Sequence, residues 1–558
     1  MAKRRAASSL RALGLLLRVQ LQGVLASMGF SRKSASANAL RAAGIAAAVA
    51  AVVAIAATIC NVFAWIIGLA LGPDAIFGVA VTVCSVIAVV MTLLRAGDSL
   101  FGFLDYDMTM SLPVPTYIVV LSRVLALYLL QLAISLVVCI PMFVAYCSIL
   151  PASPVAWSAF VLTVLLSSTV PVSVSIFLAY LVKLVSTRFA FANLAYVVLS
   201  LALMVAISIV PMFFMFDSSV MASANTGSEA LEAMGVENLG VIATAYPLAG
   251  WMVLAAQGDT IWFLPFALVS LATFVLAICM LTRGFMSINA ALAVHSRAHK
   301  VDIEKASRRQ GSVFWTMLVK EWRCQFHYSQ WALNAHFGLI LQLIFAVALI
   351  VMGKNAASSV LGALTHMDGA MLSLVSGMID LVFPWMCVFC CATATAAAGS
   401  VSMEGRASWV MATAPVPVRT VLASKLVSGL IPAAIVLTVT FVAILVSGLG
   451  DALAAVECVA LGFTTHLCAA CVALYIDVLH PNFAWTRAKE VFKSSSASMV
   501  AGLGGLVVAF GGGFLCVQFA VNGNLVMPHV LLWAVVAACV IASAVTFKLA
   551  TSRNIYLK

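Results

Sequence analysis

The chain has 558 residues, of which 64% are hydrophobic and only 9% are charged. A water-soluble fold of this length cannot cover so large an apolar fraction with polar surface, so the composition excludes a soluble globular protein. The net charge of +11 does not indicate nucleic-acid binding, because the basic residues lie between apolar runs and form no patch with interleaved aromatic side chains. We therefore expect the lipid bilayer as the solvent and no nucleic-acid partner.

Apolar runs long enough to cross a membrane recur along the whole chain. A transmembrane helix needs about 20 apolar residues, because it must cross a hydrocarbon core of about 30 Å while satisfying its own backbone amides. The runs are Ala42–Leu71, Ala75–Leu94, Ile118–Leu150, Val155–Val182, Phe189–Phe216, Ile261–Leu281, Phe337–Met352, Met371–Ala398, Val421–Val446, Ala452–Ile476, Met499–Val521 and Val530–Phe547. They predict an all-α polytopic membrane protein with twelve transmembrane helices.

Lysine and arginine residues lie on one side of this predicted topology. Of the 30 basic residues, all except Lys354 fall in or beside loops on the same side. Short loops rich in lysine and arginine stay in the cytoplasm. We therefore expect a multi-pass protein with both termini in the cytoplasm.

An amphipathic segment precedes the first predicted span. Its apolar residues recur every three or four positions, at Leu10, Leu13, Leu17, Leu21, Val24 and Met28, with Arg11 and Arg18 off the stripe. The seventh span is preceded by the same pattern at Phe314, Leu318 and Trp322, beside Lys320 and Arg323. Periodicity alone fits a solvated helix as well as a helix lying in the membrane interface, and its occurrence in both places favours the interfacial helix.

An internal duplication relates the two halves of the chain. The segment Tyr106–Leu125 aligns without gaps on Ser408–Val427, at a constant offset of 302 residues. The alignment places Pro113, Val114, Pro115, Ser122 and Arg123 on Pro415, Val416, Pro417, Ser424 and Lys425. The same offset carries Leu16–Arg18 onto Leu318–Lys320. Two tandem copies of one six-helix unit explain both matches.

The duplication predicts the domain organisation. A first transmembrane half with its N-terminal interfacial helix covers residues 1–286, a cytoplasmic linker covers 287–313, and a second half covers 314–558. Because six is an even number, both halves enter the membrane from the same side. Parallel repeats of this kind are related by a pseudo-two-fold axis along the membrane normal, which places a central pathway between the halves.

The loop after the second span of each half carries the most distinctive sequence. Gly102–Pro115 and Ser402–Pro417 combine charged residues, aromatics and helix formers, and both end in Pro-Val-Pro. Because proline fixes φ and lacks an N–H group, a proline pair ends a helix and redirects the chain. The pattern predicts a short helix on the cytoplasmic surface, and a solvated irregular loop is the alternative. The charges expected to be exposed on these helices are Asp105, Asp107, Glu404 and Arg406.

The chain resembles a known family in these loops. It is similar to bacterial type-2 ATP-binding-cassette permeases, in the fused double-length subgroup with six plus six spans, over FGFLDYDMTMSLPVPTYIVVLSRVL and SMEGRASWVMATAPVPVRTVLASKLV and at Leu318–Trp322. The likeness in layout covers the whole chain, and the specific motifs occupy these segments. The resemblance implies a permease subunit of an exporter in the bacterial cytoplasmic (inner) membrane, which moves its substrate out of the cytoplasm.

In that family, the loop between the second and third spans is a coupling helix that docks on a separate ATPase subunit. The resemblance therefore implies two copies of an ATPase as partners, with ATP and magnesium on the partner and no cofactor in this chain. It places the ATPase contacts on Asp105, Asp107, Pro113, Pro115, Glu404, Arg406, Pro415 and Pro417. The two docking sites need not be equivalent, because Gly102 stands where the second half has Glu404. An outer gate between the fifth and sixth spans corresponds to Asp217–Thr260.

Motifs of catalysis do not occur in the sequence. There is no glycine-rich loop that closes on lysine and serine or threonine after a strand, no His-Glu-x-x-His helix and no nucleophile elbow. We expect a transport subunit that is not an enzyme and that holds no metal. The closely spaced cysteines beginning at Cys387 and Cys468 are interpreted as small buried packing residues.

Asp380 is the clearest ionisable residue inside a predicted span, which makes it a candidate for the transport pathway. A structural hydrogen bond to a neighbouring helix is the favoured alternative for this residue. Because such groups are few, the sequence argues against an ion-driven transporter, which needs a relay of them. The alternatives to an ATP-driven exporter are an ATP-independent secondary transporter and a non-transporting membrane scaffold or sensor.

Overall fold

Helices form the regular structure of the chain in the computed structural model, and the part of the chain that it describes contains no β-strand. The structure describes residues 11–22, 72–101, 106–186, 195–204, 246–295, 311–327, 329–364, 383–394, 396–448, 451–485, 496–524 and 526–553, with residue 491 and isolated positions between 50 and 68. The chain divides into two units, Met1–Ala298 and His299–Lys558. The division falls within the predicted linker.

The first unit begins with an amphipathic helix and continues with long apolar helices. Its described helices are α1 (residues 11–22), α2 (Ala75–Leu100), α3 (Tyr106–Met110), α4 (Thr116–Ile149), α5 (Pro154–Leu166), α6 (Thr169–Ser186), α7 (Ala195–Met204), α8 (Pro247–Ala256) and α9 (Phe263–His295). In α1, Leu13 and Leu17 are half-buried while Arg11 and Arg18 are exposed, as the predicted stripe requires. Helix α9 continues past the predicted domain end at residue 286 into the predicted linker.

The second unit also begins with an amphipathic helix and continues with long apolar helices. Its described helices are α10 (Val313–His327), α11 (Ser329–Ala335), α12 (Phe337–Leu364), α13 (Phe383–Ala392), α14 (Ser408–Thr413), α15 (Val418–Ser447), α16 (Ala452–Leu479), α17 (Ser496–Val521) and α18 (Val526–Thr551). A 3-10 helix, Ser402–Ala407, leads directly into α14. Helix α16 begins at a capped N-terminus, because the Asp451 carboxylate accepts a hydrogen bond from Ala454 N at 2.7 Å.

Within the residues that the structure describes, eight helical segments are long and apolar enough to cross a membrane. They are Ala75–Gly97, Thr116–Ile149, Pro154–Ser186, Thr260–Met286, Val418–Ser447, Ala452–Leu479, Ala497–Cys516 and Val526–Thr551. Each coincides with a predicted run, so the prediction of an all-α polytopic membrane protein is confirmed.

The other four predicted spans are not among these eight segments, so the count of twelve transmembrane helices stays a prediction. Ala42–Leu71, Phe189–Phe216 and Met371–Ala398 lie partly outside the described residues. Phe337–Met352 lies in α12, where the apolar stretch Phe337–Ile350 is shorter than the eight others.

One predicted span is interrupted in the structure. The run Val155–Val182 forms two helices, α5 and α6, with a break at Ser167 and Ser168. Pro171 stands four residues after Ser167 and has no N–H to donate to the Ser167 carbonyl. The hydroxyl of Ser85 from α2 lies 3.3 Å from that carbonyl and 2.7 Å from the Val81 carbonyl of its own helix, so its one proton is shared between the two. A neighbouring helix thus places a polar group at the break, where the backbone lacks its helical donor.

Another predicted span ends early. The run Met371–Ala398 was expected to be helical throughout, but α13 ends at Ala392 and residues 396–401 form buried turns. Gly399 in this stretch has φ +86°, a conformation that a helix does not contain and that L-residues rarely adopt. A Cβ at Gly399 would lie 2.7 Å from the side chain of Val491. The chain therefore does not continue as a helix through Gly399.

The Pro-Val-Pro ends of the duplicated loops have the same backbone conformation in the two units. The last proline of each loop is extended, with φ −60° and ψ 141° at Pro115 and φ −59° and ψ 135° at Pro417. The valine between the prolines donates its N–H to the carbonyl two residues earlier, at 2.7 Å in the first unit and 2.8 Å in the second. Each loop places a short helix before the prolines and a long helix after them, so the sequence repeat is also a local structural repeat.

Candidate functional site

The predicted coupling residues and the predicted pathway residue Asp380 fall into three groups in the structure. Asp105 and Asp380 lie outside the described residues, and Asp107 lies in helix α3. The residues that are exposed are Pro113, Pro115, Arg406, Pro415 and Pro417. Glu404 is the exception, because its side chain is only 5% exposed.

Glu404 was expected to be an exposed charge, and that expectation is wrong. Its Oε1 atom lies 2.8 Å from Lys425 Nζ and 3.0 Å from Lys320 Nζ. The 3-10 helix that carries Glu404 turns this side chain toward α10 and α15 rather than toward the surface. The carboxylate is buried because two ammonium groups compensate its charge.

Lys425 is the centre of this buried cluster, and its side chain is fully buried. Its ammonium group contacts Glu321 Oε1 at 2.9 Å and Glu404 Oε1 at 2.8 Å, and it donates to the Ser400 carbonyl at 2.8 Å. The Lys320 side chain is half-exposed, and its ammonium group contacts both carboxylates at 3.0 Å. Two lysines and two glutamates therefore connect three elements of the second unit: α10, the 3-10 helix and α15.

The charge balance favours the ionised form of Glu404. Burial raises the pKa of the Glu404 carboxyl, but Lys425 and Lys320 together oppose this effect more strongly, so the pKa of Glu404 lies below its ordinary value of 4.5. A carboxyl whose pKa is lower in the folded state stabilises that state above its unfolded pKa, and the contribution is lost as the pH falls through the folded pKa.

We expect the stability difference between the wild type and Glu404→Gln to be largest near neutral pH and to shrink as the pH falls below 4.5. Thermal unfolding of both proteins in the same detergent across this pH range measures the difference. A difference that stays constant on acidification would contradict this assignment.

Asp477 at the end of α16 holds the buried turn that precedes the 3-10 helix. Its Oδ2 atom accepts hydrogen bonds from Val401 N at 2.8 Å and Ser402 N at 3.2 Å, and Oδ1 accepts one from the Ser402 hydroxyl. Ser402 in turn accepts from Asn482 N at 2.9 Å and, through its carbonyl, from Trp485 Nε1 at 2.7 Å. Side chains thus satisfy the non-helical backbone of the turn.

Gly405 permits the sharp change of direction between the turn and α14. It has φ 53° and ψ −135°, a combination that residues with a Cβ essentially do not adopt. A Cβ there would also lie 2.9 Å from Trp485 Nε1. The 3-10 helix is therefore kinked at Gly405 and packed against the Trp485 indole.

Two further hydrogen bonds attach α10 to α15. Trp322 Nε1 donates to the Ser428 carbonyl at 3.1 Å, and Gln325 Nε2 donates to the Ser428 hydroxyl at 3.0 Å. Gln325 lies one turn after Glu321 on the buried face of α10. The predicted interfacial helix of the second half is thus bound to the helix that follows the Pro-Val-Pro motif.

The first unit also attaches its amphipathic helix to the long helix that follows the Pro-Val-Pro motif. Gln20 Nε2 of α1 donates to the Ser122 hydroxyl of α4 at 3.0 Å, and Arg123 Nη1 donates to the Ser99 carbonyl at 2.7 Å. At the offset of 302, Val19 stands for Glu321 and Gly102 stands for Glu404. Both units therefore attach the amphipathic helix to the long helix, and the residues that correspond to Glu321 and Glu404 of the second unit carry no charge in the first.

Exposed apolar side chains mark the outer surface of the short helices. Trp409 is 66% exposed and Val410 is 46% exposed on α14, and Met108 is 75% exposed on α3. Met108 and Val410 occupy equivalent positions of the repeat. Large apolar groups that project from a loop beside exposed prolines are typical of a protein-docking surface.

Sequence reasoning identified the loop but missed the ion cluster. The signal was available, because Glu321 lies in an amphipathic segment and Lys425 lies inside a predicted span, and a charge at such a depth requires a partner. Nothing in the sequence pairs these two residues across 104 positions. Asp477 was missed for the same reason, since its partners are backbone groups of a turn that the sequence predicted as helix.

Comparison with known proteins does not identify the chain. No protein-family model matches it, and no curated protein matches it.

Proposed function

We propose that the protein is the transmembrane permease subunit of an ATP-driven exporter, which takes mechanical work from a separate ATPase through the loops Gly102–Pro115 and Ser402–Pro417. The observation that carries the proposal is the repeated structure of these loops. In both units a short helix with an exposed apolar side chain precedes an extended Pro-Val-Pro and a long apolar helix. Under this proposal the chain has twelve spans, and both termini lie in the cytoplasm of a bacterial cell.

The ion cluster supports this function because it makes the second loop a rigid attachment. Glu404 lies four residues before α14, across the kink at Gly405, and it contacts Lys425 of α15 at 2.8 Å. Lys425 also contacts Glu321 of α10, so a force applied at α14 acts on two elements of the bundle together. A loop held only by water would bend under load without moving the helices.

The difference between the two units supports unequal roles for the two docking surfaces. The second loop is fixed by buried charges, whereas the first has Gly102 at the position of Glu404. We propose that two ATPase copies bind, one at each loop, and that the second loop transmits more of the motion. The substrate pathway then lies within the membrane helices.

Trp409→Glu is expected to remove the ATPase from the complex. A tryptophan at the centre of an interface commonly contributes enough binding energy for its loss to weaken association by at least about tenfold. The tagged chain is purified from its native membrane in mild detergent, and hydrolysis of Mg-ATP by the co-purified protein is measured. We expect ATP hydrolysis by the wild-type preparation and about one tenth of it or less for the variant.

Val526→Glu is the matched control, because Val526 is 70% exposed at the start of α18, on the opposite side of the membrane in the proposed topology. It is expected to leave ATP hydrolysis unchanged. Equal hydrolysis in the wild type and Trp409→Glu would count against docking at α14. Labelling of a cysteine at position 113 or 415 from outside the cell would overturn the topology on which the proposal rests.

A further inference from the structure

Two cysteines face each other between helices α16 and α18 of the second unit. The thiol of Cys468 in α16 interacts with the thiol of Cys539 in α18 and with the hydroxyl of Ser543, which lies one turn further along α18. Cys468 was expected to be a small buried packing residue, but it and Cys539 are only partly buried. They are therefore a pair of free cysteines that the packing of the helices does not enclose.

A contact near the beginning of the two helices supports the same register. His529 Nδ1 of α18 lies 2.9 Å from Glu457 Oε1 of α16. Cys468 lies eleven residues after Glu457, and Cys539 lies ten residues after His529. Because three turns of an α-helix take about eleven residues, parallel helices in contact at the first position face each other again at the second. The thiol pair thus agrees with the packing of α16 on α18.

The pair lies near the middle of two membrane-length helices. Cys468 is the seventeenth of the 28 residues of α16, and Cys539 is the fourteenth of the 26 residues of α18. At a rise of about 1.5 Å per residue, each lies at least about 16 Å from both ends of its helix. Val540 and Ile541, which follow Cys539, are 47% and 65% exposed, as expected for side chains that face lipid. A reagent therefore reaches this pair from the hydrocarbon and not from water.

A second cysteine pair, in the first unit, is an enclosed counterpart. The sulfur atoms of Cys84 in α2 and Cys139 in α4 lie 3.6 Å apart. These residues are 0% and 2% exposed. The oxidation of a thiol depends on its exposure as well as on its thiolate character. The two pairs therefore carry the same functional groups but differ in their access to lipid.

We propose that Cys468 and Cys539 are a redox-active pair whose oxidant is a lipid-soluble quinone, and that oxidation joins α16 to α18 by a disulfide in the middle of the membrane. Both cysteines are free thiols in the structure, which is the reduced state of the pair. A quinone accepts two electrons and dissolves in the bilayer, so it suits thiols that face lipid. The site goes beyond export, because this chain alone forms it and it needs no ATPase.

The reaction transfers two electrons and two protons from the thiols to the quinone. Cys468 is assigned as the attacking residue, because attack requires a thiolate and its sulfur has two polar neighbours, the Cys539 thiol and the Ser543 hydroxyl. The Cys468 sulfur bonds to the quinone ring, and the Cys539 sulfur then attacks the Cys468 sulfur. Two S–H bonds break, one S–S bond forms, and the quinone leaves as the hydroquinone.

The test uses the reduced full-length chain in phosphatidylcholine vesicles without oxygen. A fully substituted benzoquinone with a decyl chain is added, the remaining thiols are blocked with N-ethylmaleimide, and disulfide-linked peptides are quantified by mass spectrometry. We expect the link between Cys468 and Cys539 to rise at least about tenfold over vesicles without quinone, while Cys84 and Cys139 stay reduced. No rise in the first link, or an equal rise in the second, would overturn the proposal.

Cys468→Ser is expected to abolish the link and to leave Cys539 as a free thiol, because a disulfide needs both sulfur atoms. Cys279→Ser, at an exposed cysteine of α9, is the matched control and should leave the link unchanged. Oxidation of Cys539 by the quinone in the Cys468→Ser protein, through any other cysteine, would overturn the assigned pair.

Two other oxidants separate the quinone from its alternatives. Glutathione disulfide is charged and stays in water, so we expect it not to oxidise the pair when it is present on both sides of the vesicle membrane. Air without quinone is expected to give about one tenth of the link or less. Oxidation by either to the same extent as by the quinone would overturn the assignment to a lipid-soluble quinone.

Discussion

Lys425→Met is expected to destabilise the second unit by about 3–5 kcal/mol, because removing one member of a buried ion cluster leaves the opposite charges uncompensated. The Lys425 side chain is fully buried between Glu321 and Glu404, and methionine preserves most of its volume. The loss therefore comes from the charge and from the hydrogen bond to the Ser400 carbonyl rather than from a cavity. Equilibrium unfolding of the purified chain in detergent measures the change.

The matched control for this variant is Lys548→Met, since Lys548 is exposed in the last turn of α18. We expect it to change stability by less than about 0.5 kcal/mol. Adding Glu321→Gln and Glu404→Gln to Lys425→Met removes the uncompensated charges, and this triple variant is expected to recover part of the loss. A Lys425→Met protein as stable as the wild type would show that the cluster does not hold the second loop.

Asp477→Ala is expected to cost about 3 kcal/mol or more, because three buried donors lose their acceptor at once. These donors are the N–H groups of Val401 and Ser402 and the Ser402 hydroxyl. We also expect faster tryptic cleavage after Arg406, since the 3-10 helix is no longer fixed to the end of α16. Limited proteolysis and unfolding of the same preparation measure the two effects.

Asp451→Ala is the control for Asp477→Ala, because Asp451 is an exposed aspartate on the same helix that caps one backbone N–H. Loss of such a cap costs about 1 kcal/mol. Asp451→Ala is not expected to change cleavage after Arg406. If both aspartate variants had the same cleavage rate at Arg406, the assigned role of Asp477 would be wrong.

The sequence predicted the long helices and the Pro-Val-Pro loops more completely than it predicted the contacts at the site. Helices α4 and α16 were located to within a few residues from apolar length alone, because a membrane helix must satisfy its own backbone and its length follows the hydrocarbon thickness. The Pro-Val-Pro loops were found from the repeat, because proline constrains its own backbone and that of the residue before it. Both signals are local in the sequence.

The predictions that failed have one cause in common, which is that the structure there depends on contacts between residues far apart in the sequence. Ser85 lies beside the break at Ser167, and Lys425 and Asp477 bind the non-helical turn at residues 400–402 that follows α13. An apolar run does not reveal where a distant residue supplies a hydrogen bond. The sequence therefore located eight spans but did not reveal the break at Ser167 or the end of α13 at Ala392.

The sequence by itself determined that this chain is an α-helical membrane protein with an internal repeat, because both properties follow from composition and from patterns along the chain. Only the tertiary structure decided that Glu404 is buried and that Lys425 compensates it. The physical reason is that the cost of a buried charge depends on what lies within about 4 Å of it in space. Glu321, Glu404 and Lys425 meet only when α10, the 3-10 helix and α15 are packed together.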